Sequence, residues 1–248
     1  MNKYLKEGLK ANYDKYPVVE VPGYEDACIC GWTDIMQHLS KEKGKVLIFE
    51  CYQGVRDEEV LAAIKETFPE ASLYLSSAAM KSEEDLYGVL KNDLTDDEIF
   101  GYMTRYTIDV YFDEAKVAKM REEISSDTSE IKIIYGTGAS YIYNESSVLV
   151  YLDMARWEIQ MRFRANEVSN VGFDNKEMRP GLQYKQAFFV DWRILDRWKK
   201  KIYSKMDYIL DTNLAGQPKM IPSEAFFAGL KQAAARPFRV VPYFDPGV

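Results

Sequence analysis

Hydrophobic positions recur along this chain with two alternating periods, short continuous runs and helical spacings, and their order predicts the architecture. Residues 45–51, Lys-Val-Leu-Ile-Phe-Glu-Cys, are nearly all apolar, as expected of a strand buried on both faces, and this run is the candidate for the central strand. Val60, Leu61, Ile64 and Phe68 then follow at helical spacing until Pro69 stops them, and residues 72–76 form a second short strand. That is a βαβ unit. Upstream, Trp32, Ile35, Met36 and Leu39 mark a helix that Gly44 closes.

Further along, residues 81–97 are acidic and read as peripheral, and a helix runs through Val117, Met120 and Ile124. Strands resume at residues 131–135 and 148–153, the latter feeding a helix with Trp157 and Met161. Residues 165–187, with Asn166, Asn170, Pro180 and Gly181, read as a long excursion or lid. Ile194, Leu195, Trp198, Ile202 and Met206 then line one face of a strong helix whose Lys199, Lys200 and Lys201 form its solvated side. Residues 208–211 are another buried strand, and Ser223 caps a last helix through Phe226, Phe227 and Leu230. Strands alternating with helices predict an α/β fold, a mostly parallel sheet flanked by helices.

Composition narrows the function classes. Thirty-two basic against thirty-nine acidic residues leave a net charge of −7 with no basic stretch, which argues against nucleic acid as a partner. No apolar run approaches the roughly 18 residues of a membrane helix, and the first residues lack the apolar core of a signal peptide, so no membrane partner and a cytoplasmic location are expected. Cys28, Cys30 and Cys51 are too few for a disulfide framework. The single histidine, His38, reads as a solvated helix residue, and no metal site is expected.

In this order the elements resemble the uridine kinase and phosphoribulokinase branch of the P-loop kinases, over roughly residues 45–213. The resemblance implies a P-loop NTPase-like three-layer architecture in which the first strand runs into a phosphate loop of pattern G-x-x-x-x-G-K-[ST]. The equivalent residues here, 50–59, read Glu-Cys-Tyr-Gln-Gly-Val-Arg-Asp-Glu-Glu, with one glycine, no lysine and four carboxylates. Asp57, Glu58 and Glu59 take the helix start where a phosphate would have to approach, so the loop is degenerate and no catalytic residue is assigned. Tyr52, Gln53, Gly54 and Arg56 are the ligand-binding candidates in it. The resemblance also implies a lid helix over residues 151–164, in which Arg156, Arg162 and Arg164 would meet phosphates and Asp153 would hold magnesium; the plainer reading makes Asp153 a helix cap and the arginines solvated. Residues 136–140, Gly-Thr-Gly-Ala-Ser, would suit an anion, but residues 141–143 after them read as a strand, without a helix dipole behind the loop.

Residues 237–248 resemble the opening strand of class I mannose-6-phosphate isomerases. On that resemblance the chain is a piece of a longer bacterial protein: residues 1–44 an arm and helix, 45–235 the kinase-like domain, 236–248 the start of a cupin isomerase domain. The parent would interconvert mannose 6-phosphate and fructose 6-phosphate, with zinc, the implied cofactor, only in the cupin. The expected role is a non-catalytic accessory domain with the cupin as its partner in cis. An active sugar or nucleoside kinase, or a sugar-phosphate-binding module, are the alternatives.

Overall fold

The computed structural model describes residues 18–42, 46–145 and 147–235. The chain divides into two compact units, Cys28–Ser223 and a smaller one formed by Met1–Ala27 with Glu224–Val248. Residues 236–248, on which the isomerase resemblance rests, lie outside the described residues, as does Gly44.

The larger unit is built on a seven-stranded sheet in the order β1-β7-β6-β5-β2-β4-β3. Its strands are β1 (Ile29–Cys30), β2 (Val46–Cys51), β3 (Ser72–Leu75), β4 (Lys132–Gly136), β5 (Ser147–Asp153), β6 (Tyr208–Asp211) and β7 (Lys219–Pro222). β3, β4, β2, β5 and β6 are all parallel, and β7 and β1 extend the β6 side antiparallel. The expected α/β architecture with a mostly parallel sheet is the observed one. β2 is the middle one of the five parallel strands, paired with β4 on one side and β5 on the other, and all six of its residues are buried. Each apolar side chain so placed is stabilised by about 1.5–3 kcal/mol relative to exposure. That is why this run carries almost no polar residue, and why Glu50 within it is conspicuous.

Helices cover both faces. They are α1 (Trp32–Leu39), α2 (Asp57–Thr67), α3 (Glu83–Leu94), α4 (Glu114–Ser126), α5 (Ala139–Ile142), α6 (Arg156–Arg164), α7 (Pro180–Gln186) and α8 (Trp192–Ile202); the smaller unit carries α9 (Ser223–Ala235). The β2-to-β3 crossover, which carries α2, runs toward one edge of the sheet. The later crossovers, carrying α4, α5 and α8, run toward the other, and right-handed connections therefore place them on the opposite face. Contacts agree with this division. Trp32 Nε1 donates to Glu59 Oε1 at 2.8 Å and joins α1 to α2, whereas Tyr141 of α5 meets Trp198 of α8 edge to face at 5.9 Å. No helix among the described residues is long and apolar enough to cross a membrane.

Four local expectations are corrected. Residues 141–143 are not a strand: Gly138 in the left-handed region starts the short helix α5, which ends at Ile142. The excursion at 165–187 is irregular only to Arg179, because Pro180, which looks like a loop signal, sits at the first helical position, where its missing N–H costs nothing. A π-helical turn, Ala187–Asp191, then joins α7 to α8. His38 is half-buried, with Nε2 3.0 Å from Tyr208 Oη. Lys199 is not solvated: it pairs with Asp153.

Candidate functional site

The chain leaves β2 toward one edge of the sheet and β5 toward the other, so their carboxyl ends flank a topological switch point, where open parallel sheets form a crevice. A cavity of about 910 Å³ lies on the β4 side of this point, over the carboxyl ends of β2 and β4, walled by the turn after β2, the first turn of α2, Thr137 beyond β4, and residues 166–174.

The turn after β2 is held from below. Gly54 has φ +91°, and a Cβ on it would stand 2.9 Å from Ile159 Cγ1, so only glycine fits. Its carbonyl accepts from Arg162 Nη1 at 2.5 Å. Arg162 is 1% exposed, and it also donates to the carbonyls of Thr212 and Asn213 at 2.9 and 2.8 Å and to Glu158 Oε1 at 3.1 Å. Burial lowers its pKa, yet every arm of the guanidinium is engaged.

Of the residues singled out from the sequence, Tyr52, Gln53, Gly54 and Arg56 line the cavity, and Asp153, Arg156, Arg162 and Arg164 do not. Asp153 pairs with Lys199 and accepts the amide of Met154. Arg156 pairs with Asp196 and lies 5.1 Å from the Trp192 ring, while Tyr52 Oη donates to the same Asp196 at 2.8 Å. Arg164 is exposed. Arg56 donates through Nε to Glu167 Oε2 at 3.0 Å and lies 3.9 Å from Glu158, so its charge is matched within the wall.

Two buried carboxylates organise the surroundings. Asp191, fully buried at the end of the π-helical turn, accepts from Tyr111 Oη at 2.7 Å, Asn170 Nδ2 at 2.8 Å and Gln53 Nε2 at 2.9 Å. Burial pushes its pKa up to about 6. Because Gln53 Nε2 is committed to Asp191, the amide has a fixed sense, and Gln53 Oε1 is a buried acceptor with no partner. Such an atom costs about 1–3 kcal/mol unless a donor reaches it. Glu50, on β2, reaches across to the glycine loop after β4: the amides of Gly138 and Ser140 and the Ser140 hydroxyl each donate to it at 2.7 Å. Burial raises its pKa to about 7. The loop that suits an anion is therefore filled by a carboxyl group of its own chain.

The cavity wall carries Asp57, Glu58, Glu59, Glu83, Glu167 and Asp174 against Arg56, Lys81 and Lys176. Tyr135 Oη donates to Asp57 at 2.6 Å, and Lys81 Nζ donates to the carbonyl of Val110 at 2.6 Å. No side chain caps α2. Among the described residues, no three His, Cys, Asp or Glu side chains gather as a metal-binding group. Asp191, Tyr111 and Asn170 were not anticipated from the sequence, although an aspartate inside the apolar run 187–192 was a readable signal.

A search of curated proteins finds no match. Among solved structures, the shikimate kinase of Bacteroides thetaiotaomicron, determined at 1.7 Å resolution, is similar at 11% identity and a TM-score of 0.41, over 77% of this chain and 97% of that one. A family model described as "Domain of unknown function (DUF8485)" matches residues 31–235, and the chain belongs to that family.

Proposed function

We propose that this domain binds a small, uncharged, hydroxyl-rich molecule of the sugar class over the carboxyl ends of β2 and β4, and that it does not transfer phosphoryl groups. The observation that carries this reading is the mixture of unmet hydrogen-bonding needs at one turn. The uncapped first turn of α2 presents amide donors that want acceptors. Gln53 Oε1 lacks a donor, and the carboxylates of Asp57, which takes one from Tyr135 Oη, and of Glu58 stand in the same wall as further acceptors. A hydroxyl supplies both, whereas a phosphate offers only acceptors and an ammonium only donors. Six acidic against three basic residues in the wall further disfavour a polyphosphate. The kinase-like layout then serves as a scaffold without its chemistry, since fold and function separate readily.

An accessory place beside an isomerase domain belongs to the same proposal and stands on the sequence of residues 237–248. The test is a thermal-shift series with mannose, mannose 6-phosphate and ATP with magnesium, backed by titration calorimetry. Mannose is expected to stabilise more than its phosphate, and ATP to give no heat. A micromolar constant for ATP overturns the reading.

A further inference from the structure

A second cavity, of about 740 Å³, opens on the helical face that carries α4, α5 and α8, toward the amino ends of β5 and β6. It shares no wall with the first. Ile48, Leu149 and Ile202, all buried, form an apolar floor with Trp198 beside them, and Ser140, Asn144 and Ser147 add polar groups to the wall. Its charged residues are Arg121, Lys201, Lys205 and Asp207.

The single acid is already committed, because Asp207 Oδ2 accepts the amide of Leu149 at 2.8 Å. The cations are less fully used. Arg121 spends Nε and Nη2 on the carbonyls of Ile142 and Tyr141, both at 2.8 Å, and lies 5.6 Å from the Tyr141 ring, which holds the guanidinium at the rim. Lys201 Nζ stands 5.3 Å from the Trp198 ring, so its ammonium is drawn to the cavity mouth. Lys205, exposed, follows one turn later.

From this pairing of an apolar floor with a cationic rim, we propose that the second cavity binds a carboxylate with an apolar tail, the tail against Ile48, Leu149 and Ile202 and the carboxylate between Lys201, Lys205 and Arg121. This site is independent of the sugar reading. It lies elsewhere on the fold and takes a ligand of opposite character, so either proposal can fail alone.

The experiment is a calorimetric titration of the full chain with octanoate, octanol and inorganic phosphate, in parallel with tryptophan fluorescence. Octanoate is expected to bind with one-to-one stoichiometry and to change the emission, and to bind at least tenfold more tightly than octanol or phosphate. Raising the salt should weaken it. The double variant Lys201→Glu, Lys205→Glu changes two exposed side chains; it should keep its melting temperature and lose at least tenfold in octanoate affinity. Trp198→Phe should abolish the fluorescence change while heat of binding persists. No saturable octanoate binding overturns the proposal, as do equal affinity for octanol, equal affinity for phosphate, or an unchanged affinity in the double variant.

Discussion

Arg162 Nη1 donates to the carbonyl of Gly54 from inside the protein, at 2.5 Å, while its other nitrogens hold Thr212, Asn213 and Glu158. An arginine so used is a clasp between the turn after β2 and the segment after β6, and it is turned away from the cavity that the turn faces. Replacing it with methionine keeps much of the volume but strips three carbonyls of their donor. Each unsatisfied group costs about 1–3 kcal/mol, so Arg162→Met should lower stability by about 3 kcal/mol or more in urea unfolding. Arg162→Lys should recover little, since an ammonium cannot span three carbonyls with one planar fork. Were Arg162 a phosphate-binding lid residue, its loss would leave the unfolding midpoint almost where it was.

The pH dependence follows from the two buried carboxylates. Glu50 and Asp191 have folded pKa values of about 7 and about 6, both raised by burial above the ordinary carboxylate range. The folded chain thus holds these protons more tightly than the unfolded chain does. Their contribution is fully present below about pH 4 and is lost as pH rises through the folded values. Stability should therefore fall between pH 5 and pH 7.5, by on the order of 3 kcal/mol for Glu50 if it acts alone. Asp127, whose pKa is lowered by hydrogen bonds from Ser129 and Ser72, works in the opposite sense only at lower pH, outside this window. Glu50→Gln is expected to flatten the slope, although it sets an amide group against the amides of Gly138 and Ser140 and lowers stability throughout. Urea midpoints for both proteins across the range check this, and a wild-type midpoint that rises toward pH 7.5 contradicts it.

The parallel core was readable because its cause is local. Residues 46–49 and 148–152 are apolar without interruption, and that composition is stable only between two covering layers. The antiparallel edge was not readable. β1 has two residues and β7 four, ending in Pro222, and their pairing depends on β6 being there to receive them. The site divides in the same way. Tyr52 to Arg56 could be placed because they follow the central strand directly. Asp191, by contrast, reaches Gln53 across 138 residues of chain, through a π-helical turn that no short period announces. The lid arginines failed to face the cavity for a related reason: helical spacing identifies a face, but not whether carbonyls from a distant strand end will claim it.

Gly54 offers a sharper test of the same turn. Its φ of +91° and the 2.9 Å that an added Cβ would leave to Ile159 Cγ1 make Gly54→Ala unfavourable on two counts, backbone strain and overlap. A loss of about 1–3 kcal/mol is expected. Adding Ile159→Ala should remove the overlap but leave the strain and open a hole in the core. The two changes should therefore be non-additive, the double variant being more stable than the sum of the single losses predicts. Additivity within error would place the turn away from Ile159.

The carboxylates at the start of α2 are the residues that set the charge preference of the main cavity. Asp57 and Glu58 line it together with the uncapped first turn of the helix, and removing their charge leaves the amide donors and the helix dipole in place. Asp57→Asn with Glu58→Gln should therefore turn a surface that repels anions into one that accepts them. Binding of tripolyphosphate, absent in the wild type, is expected to appear and to tighten at least tenfold as salt is lowered. Asp57→Asn also gives Tyr135 Oη a weaker acceptor, so the melting temperature should drop slightly. If the neutralised variant stays as indifferent to tripolyphosphate as the parent, electrostatics at this turn is not what excludes phosphate, and the shape of the Gly54 turn must be.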